Sequence, residues 1–102
     1  MGGNYTSKVG TVNTITNSAF SSVTGYGIWT RGTIGTIGGN TTVTSTGSDA
    51  VWVANSGVIN TISGGTFTGG TAGNGLWISD GGTVGTISGG TFSSTGTAGL
   101  KV

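Results

Sequence analysis

Cysteine, proline, histidine and glutamate are all absent from this 102-residue chain, and charged residues make up only 5% of it. Without cysteine there is neither a disulfide nor a thiolate site, and the redox compartment is left open. Without proline, every turn falls to glycine and asparagine. Lys8, Arg31 and Lys101 are the only cations, so no basic field exists to hold nucleic acid. No apolar run approaches the ~20 residues of a membrane helix, which excludes membrane insertion by that route. The first residues, Met1-Gly2-Gly3-Asn4, carry no apolar signal region. An extracellular location would then need a signal removed earlier, another export route, or an engineered chain.

Catalysis loses most of its reagents at the same time. Asp49 and Asp80 are the only carboxylate side chains. Asp49 lies three residues before the Trp column and Asp80 three after it, so six strand residues at ~3.3 Å put them roughly 20 Å apart, on neighbouring coils. A glycosidase-type pair spans about 5–9.5 Å. The glycines are not followed by the Lys-Ser/Thr of a phosphate loop. No catalytic, cofactor-binding or metal-ligating residue is expected, and the chain is read as non-enzymatic. The sequons Asn4-Tyr5-Thr6 and Asn40-Thr41-Thr42 match a glycan acceptor pattern, a match that a threonine-rich chain often makes by chance.

What is present is repetition. The chain has 24 glycines and 32% hydrophobic residues. Such glycine content without a period reads as disorder, but here the period is strict. Thr83-Val84-Gly85-Thr86-Ile87-Ser88-Gly89-Gly90-Thr91-Phe92 recurs almost unchanged at residues 58–67, more loosely at 33–43, and first at 11–20. The second isoleucine of this phrase falls at 15, 37, 62 and 87, giving steps of 22 to 25 residues. A second phrase recurs around Trp29, Trp52, Trp77 and Lys101. Periods of this length mark solenoids, propellers or arrays. The units are rich in Thr, Val, Ile and Gly and poor in helix formers, and they are too short for propeller blades. The expectation is an all-β, right-handed parallel β-helix of four uncapped coils, about 9–31, 32–55, 56–80 and 81–102, with residues 1–8 as a lead-in. The hand follows the usual crossover preference.

Each coil then has inward columns. Val12, Ile34, Ile59 and Val84 form one, and Ile15, Ile37, Ile62 and Ile87 another. A spacing of three breaks strand alternation, so the chain bends between them, with left-handed backbone expected at Asn13, Gly35, Asn60 and Gly85. A second corner falls at Asn17-Ser18, Gly39-Asn40, Gly64-Gly65 and Gly89-Gly90. Phe20, Val43, Phe67 and Phe92 point inward on the next strand. On the third strand Ile28, Val51, Leu76 and Leu100 point in, which places Trp29, Trp52, Trp77 and Lys101 outside.

The phrase Gly-Thr-Ile-Gly-Thr-Ile-x-Gly-Gly-Thr-Phe, followed by Gly-(Ile/Leu)-Trp-(Ile/Val), resembles the repeats of bacterial autotransporter passenger domains. The resemblance runs from about Val9 onward. It implies a right-handed parallel β-helix at the cell surface, often that of an adhesin. Within these 102 residues no outer-membrane barrel, signal or cap is expected, a departure from that pattern.

Two surface features stand out. Trp29, Trp52 and Trp77 form an exposed aromatic ladder, which could stack on itself, pack against a protein or hold a glycan. Thr42, Thr44, Thr66, Thr68 and Thr91 form an outward hydroxyl array that resembles the ice-binding face of some antifreeze proteins, incomplete on the first coil where Ala19 and Ser21 stand.

The ends point to self-association. An uncapped coil exposes unpaired backbone groups, and a head-to-tail contact between identical ends does not close. The expectation is a filament in which Val12, Ile15, Phe20 and Ile28 of one copy sit over Val84, Ile87, Phe92 and Leu100 of another, with Lys101 in line with Trp29 of the neighbour. An excised or engineered segment of an autotransporter-type stalk would present the same ends.

Overall fold

The structure is a computed structural model in which residues 5–7 and 11–102 are described. Coil one holds β1 (Tyr5–Ser7), β2 (Thr11–Thr16) and β3 (Ala19–Ser22). Coil two holds β4 (Ile28–Thr30), β5 (Thr33–Gly38) and β6 (Thr42–Ser45). Coil three holds β7 (Val51–Val53), β8 (Val58–Ile62) and β9 (Thr66–Gly69). Coil four holds β10 (Leu76–Ile78), β11 (Thr83–Ile87) and β12 (Thr91–Ser94), and β13 (Leu100–Lys101) follows it. The coils stack into three parallel sheets: β1-β4-β7-β10-β13, β2-β5-β8-β11 and β3-β6-β9-β12. The described residues form an all-β solenoid of about four turns, as the repeat predicts.

Register follows the columns. Ile15 lies beside Ile37, Ile37 beside Ile62, and Ile62 beside Ile87. Phe20, Val43, Phe67 and Phe92 run down the third sheet in the same way. Ile34, Ile37, Val43, Val51, Ile59, Ile62, Phe67 and Leu76 are wholly buried. Burying each such side chain contributes ~1.5–3 kcal/mol, and only the stacking of coils makes that burial available. The Phe67 and Phe92 rings stack at 4.9 Å.

Two expectations need correction. Residues 5–7 are not outside the repeat: Tyr5, Thr6 and Ser7 pair with Ile28, Trp29 and Thr30 and so occupy third-strand positions of the unit. A Tyr-Thr-Ser segment hides this, because it lacks the aliphatic-Trp-aliphatic pattern of its neighbours. The bend column is also built differently. The ladder passes over Asn13, Gly35, Asn60 and Gly85, yet none of them has a left-handed φ. Glycine is required there by approach: a Cβ at Gly35 would overlap the Asn13 carbonyl oxygen, and one at Gly85 would lie 2.7 Å from that of Asn60. Asparagine and glycine therefore alternate from coil to coil.

Left-handed backbone falls elsewhere. The second corner has it in every coil, at Asn17, Gly39, Gly65 and Gly90. The turns after β7 and β10 have it at Asn55-Ser56 and Asp80-Gly81. The matching turn after β4 is only Arg31-Gly32, which accounts for most of the shorter first step of the repeat.

Candidate functional site

The Trp column stands outward on the first sheet because Ile28, Val51 and Leu76 take the alternate, inward positions. Trp29 pairs with Trp52, and Trp52 with Trp77. Their indoles stack at 5.4 and 5.0 Å, tilted by only 11° and 9°. Cations flank the stack. The Arg31 guanidinium lies 5.4 Å from the Trp29 ring. The Lys101 ammonium lies 5.9 Å from the Trp77 ring. Such contacts contribute about 0.5–1 kcal/mol each at exposed sites. Lys101 thus engages Trp77 within its own chain.

The ladder presents edges, not faces. Trp52 has an indole stacked on each side, and Trp29 and Trp77 each have a cation near the ring, at 5.4 and 5.9 Å from the centroid. A sugar stacks on an aromatic face, and the indoles on either side of Trp52 take its faces. Tyr26 joins the ladder sideways, its ring 4.8 Å from that of Trp52 and tilted by 47°. Burial, reinforced by the nearby Asp49 carboxylate, raises its phenol above the ordinary 10.0. The Trp52 Nε1–H donates to the Ser79 hydroxyl at 2.8 Å, whereas the buried Nε1–H of Trp29 finds no acceptor among the described residues.

A polar ladder runs beside the aromatic one, three residues earlier in each coil, through Tyr26, Asp49, Asn74 and Ala98. The Asn74 N–H and Nδ2–H both donate to Asp49 Oδ1, at 2.7 and 3.0 Å. Asn74 Oδ1 in turn accepts from the Ala98 N–H at 3.2 Å and from the Thr97 hydroxyl at 2.9 Å. Asp49 is 3% exposed, so this carboxylate serves coil-to-coil bonding. Asp80 stands apart in an exposed left-handed turn. A groove of about 370 Å³ lies between the two ladders at coils three and four, lined by Asp49, Asn74, Trp77, Thr97 and Lys101 among others. The sequence reading missed Tyr26, Arg31, Ser79, Asn74 and Thr97. Aligning the units on the Trp column would have found the Tyr26-Asp49-Asn74 column.

Comparison with protein-family models, with curated proteins and with solved structures gives no match. The site is therefore read from its own geometry.

The hydroxyl array is in register. Ala19, Thr42, Thr66 and Thr91 form one column and Ser21, Thr44, Thr68 and Ser93 the next. All are exposed except the half-buried Thr68, and none of the chain's charged residues stands on this sheet.

The ends of the solenoid differ. Around coil four, Ile87 is 40% exposed, Leu100 45% and Val102 89%, with Val84 and Phe92 half-buried. At the other end Ile15 is 7% exposed, Phe20 4% and Ile28 wholly buried. Of the residues expected to meet across a junction, Ile87 and Leu100 are open, Val12, Val84 and Phe92 are half-buried, and Ile15, Phe20 and Ile28 are closed. Strand β1 lies directly on Ile28, which the columns alone did not reveal.

Proposed function

We propose that this chain is a non-enzymatic structural β-solenoid whose copies stack end to end into an extracellular or surface fibre. One observation carries the reading: the open aliphatic face around coil four. Val84, Ile87, Phe92 and Leu100 stand in columns that are wholly buried one coil earlier, at Ile59, Ile62, Phe67 and Leu76. An exposed row of parallel backbone groups beside apolar side chains is a template for another strand. A second copy supplies strands of matching period, and the pairing resembles that of other cross-β stacks. The bend column supports the fit: it alternates Asn13, Gly35, Asn60, Gly85, so Asn13 of the next copy would follow Gly85 in phase, as Asn60 follows Gly35. Stacking four coils at ~4.8 Å gives a rise of roughly 19 Å per copy.

A kindred reading takes the chain as a segment of an autotransporter-type adhesin stalk, in which a further coil of a longer protein closes the same face. Electron microscopy and sedimentation of the 102-residue chain at rising concentration test the proposal. Fibres with a ~19 Å axial repeat are expected; a monodisperse monomer at high concentration sinks the stacking reading and favours the stalk segment. The uncharged, in-register hydroxyls of Thr42, Thr44, Thr66, Thr68 and Thr91 support a second role against an ordered water surface. Thermal hysteresis in a freezing assay tests it, and its absence removes it.

A further inference from the structure

The first sheet has five strands among the described residues, while the second and third have four each. That difference has a consequence for stacking, and so rests on the end-to-end reading above. When β2 of one copy lies on β11 of another, and β3 on β12, the β1 of the first falls at the level already held by β13 of the second. Both strands cannot occupy it. If both kept their pairing, the copies would stand one strand spacing apart, about 4.8 Å, leaving Ile87 and Phe92 without cover.

We propose that the junction forms by strand exchange, with β13 of one copy taking the place of β1 against β4 of the next. Backbone direction supports this. The Ile28, Val51 and Leu76 amides donate to the carbonyls of Ala50, Gly75 and Gly99, at 2.8, 3.1 and 2.9 Å. Each of these residues therefore turns its peptide groups toward the following coil. Leu100 has the same register as Leu76, so its N–H and C=O point away from β10 to the free edge. The matching acceptor on a second copy is the Gly27 carbonyl, which precedes Ile28. The register Tyr5 with Ile28 puts Tyr5 where that bond is made within one chain. Leu100 of a neighbour and Tyr5 of the same chain compete for one acceptor.

Sequence favours the incoming strand. The two inward positions of this sheet hold Ile28 and Thr30, Val51 and Val53, Leu76 and Ile78. Leu100 and Val102 continue that aliphatic pattern; Tyr5 and Ser7 do not. Ile28 is wholly buried, whereas Leu100 and Val102 are open: at one end β1 holds the position beside β4, and the other end offers a strand whose sequence continues the aliphatic pattern.

The test locks β1 in place. The chain has no cysteine, so Ser7→Cys with Thr30→Cys introduces a single pair at in-register positions. Parallel neighbours stand ~4.8 Å apart, within the ~4.4–6.8 Å that a disulfide bridges. With the disulfide formed, growth should slow by roughly tenfold or more, the factor set by an abolished ~1.4 kcal/mol or greater advantage; reduction should restore it to the rate of the Thr30→Cys single variant. Growth of the oxidised protein at the reduced rate overturns strand exchange while leaving stacking intact. Failure of the pair to oxidise also overturns it, since β1 would then not lie on β4. A wild-type chain that never assembles removes stacking and exchange together.

Discussion

The backbone N–H and the side-chain amide of Asn74 both donate to a single oxygen of Asp49, at 2.7 and 3.0 Å, across the interface between two coils. One carboxylate thus fixes the position of the next coil, and Asn74 hands the pattern on to Ala98. Removing the acceptor leaves two donors buried and unmatched. Asp49→Ala should cost about 1–3 kcal/mol, and Asp49→Asn, which keeps one oxygen, less than half of that. Urea unfolding followed by circular dichroism measures both, and equal losses would show that the oxygen is not what matters.

Trp52 is the centre of the aromatic stack, with an indole on each side and a hydrogen bond to Ser79. Trp52→Ala removes both stacks and opens a gap between Trp29 and Trp77. For a half-buried indole the loss should be about 2–3 kcal/mol, below the range for a fully buried one. The near-UV circular dichroism of the remaining tryptophans should fall by more than the share of the one removed. Lys101→Gln, which removes only a cation–π contact, should cost ~0.5–1 kcal/mol.

Among the described residues the buried Trp29 Nε1–H has no acceptor, which suggests a gain. Trp52 finds its acceptor on Ser79, two residues beyond the next tryptophan of the column; the position that corresponds for Trp29 is Ala54, which has no hydroxyl. Ala54→Ser should supply the missing acceptor and stabilise the chain by about 0.5–1.5 kcal/mol. A lower denaturation midpoint would mean that the wholly buried Ala54 site has no room for the oxygen.

Tyr26 sets an alkaline limit. Burial and then Asp49 raise its phenol above 10.0, so the fold favours the neutral form. A raised value in the folded state means that this contribution is complete below the unfolded value and is lost as pH climbs through the folded one. Stability should therefore be level with respect to this group up to about pH 10 and fall beyond it. Tyr26→Phe should make that fall shallower. An unchanged pH profile in the variant would assign the alkaline loss to other groups.

Much of this architecture was legible because repetition turns single positions into columns. Ile15, Ile37, Ile62 and Ile87 announce an inward stack from spacing alone, and alternation then fixes the outward Trp column. The misses fall where physics depends on approach between coils. Asn13, Gly35, Asn60 and Gly85 suggested a left-handed turn because both residue types tolerate one, whereas the actual constraint is a carbonyl lying where a Cβ would stand. Strand β1 escaped notice because edge positions need no aliphatic pattern. Tyr26 was overlooked because one tyrosine in a column with Asp49 and Asn74 has no pattern of its own until the coils are superposed.

The open face makes the last prediction, and charge gives it a sign. Ile87 and Leu100 are 40% and 45% exposed, while Ile37 in the same column as Ile87 is wholly buried. Ile87→Glu should leave the isolated chain folded at a cost of about 1 kcal/mol or less, yet stop assembly by placing an unpaired charge in the junction. Ile37→Glu should unfold the chain outright. Within the proposed junction, Lys101 of one copy comes into line with Trp29 of the next, where Arg31 already lies 5.4 Å from the ring. Their repulsion is screened by salt, over a distance of about 10 Å at 0.1 M. Fibre growth should thus quicken as salt is raised, and Lys101→Gln should reproduce much of that effect at low salt. Light scattering against ionic strength measures this. Assembly that weakens with salt, or that survives Ile87→Glu unchanged, would place the contact on another surface, such as the Trp edges or the threonine face.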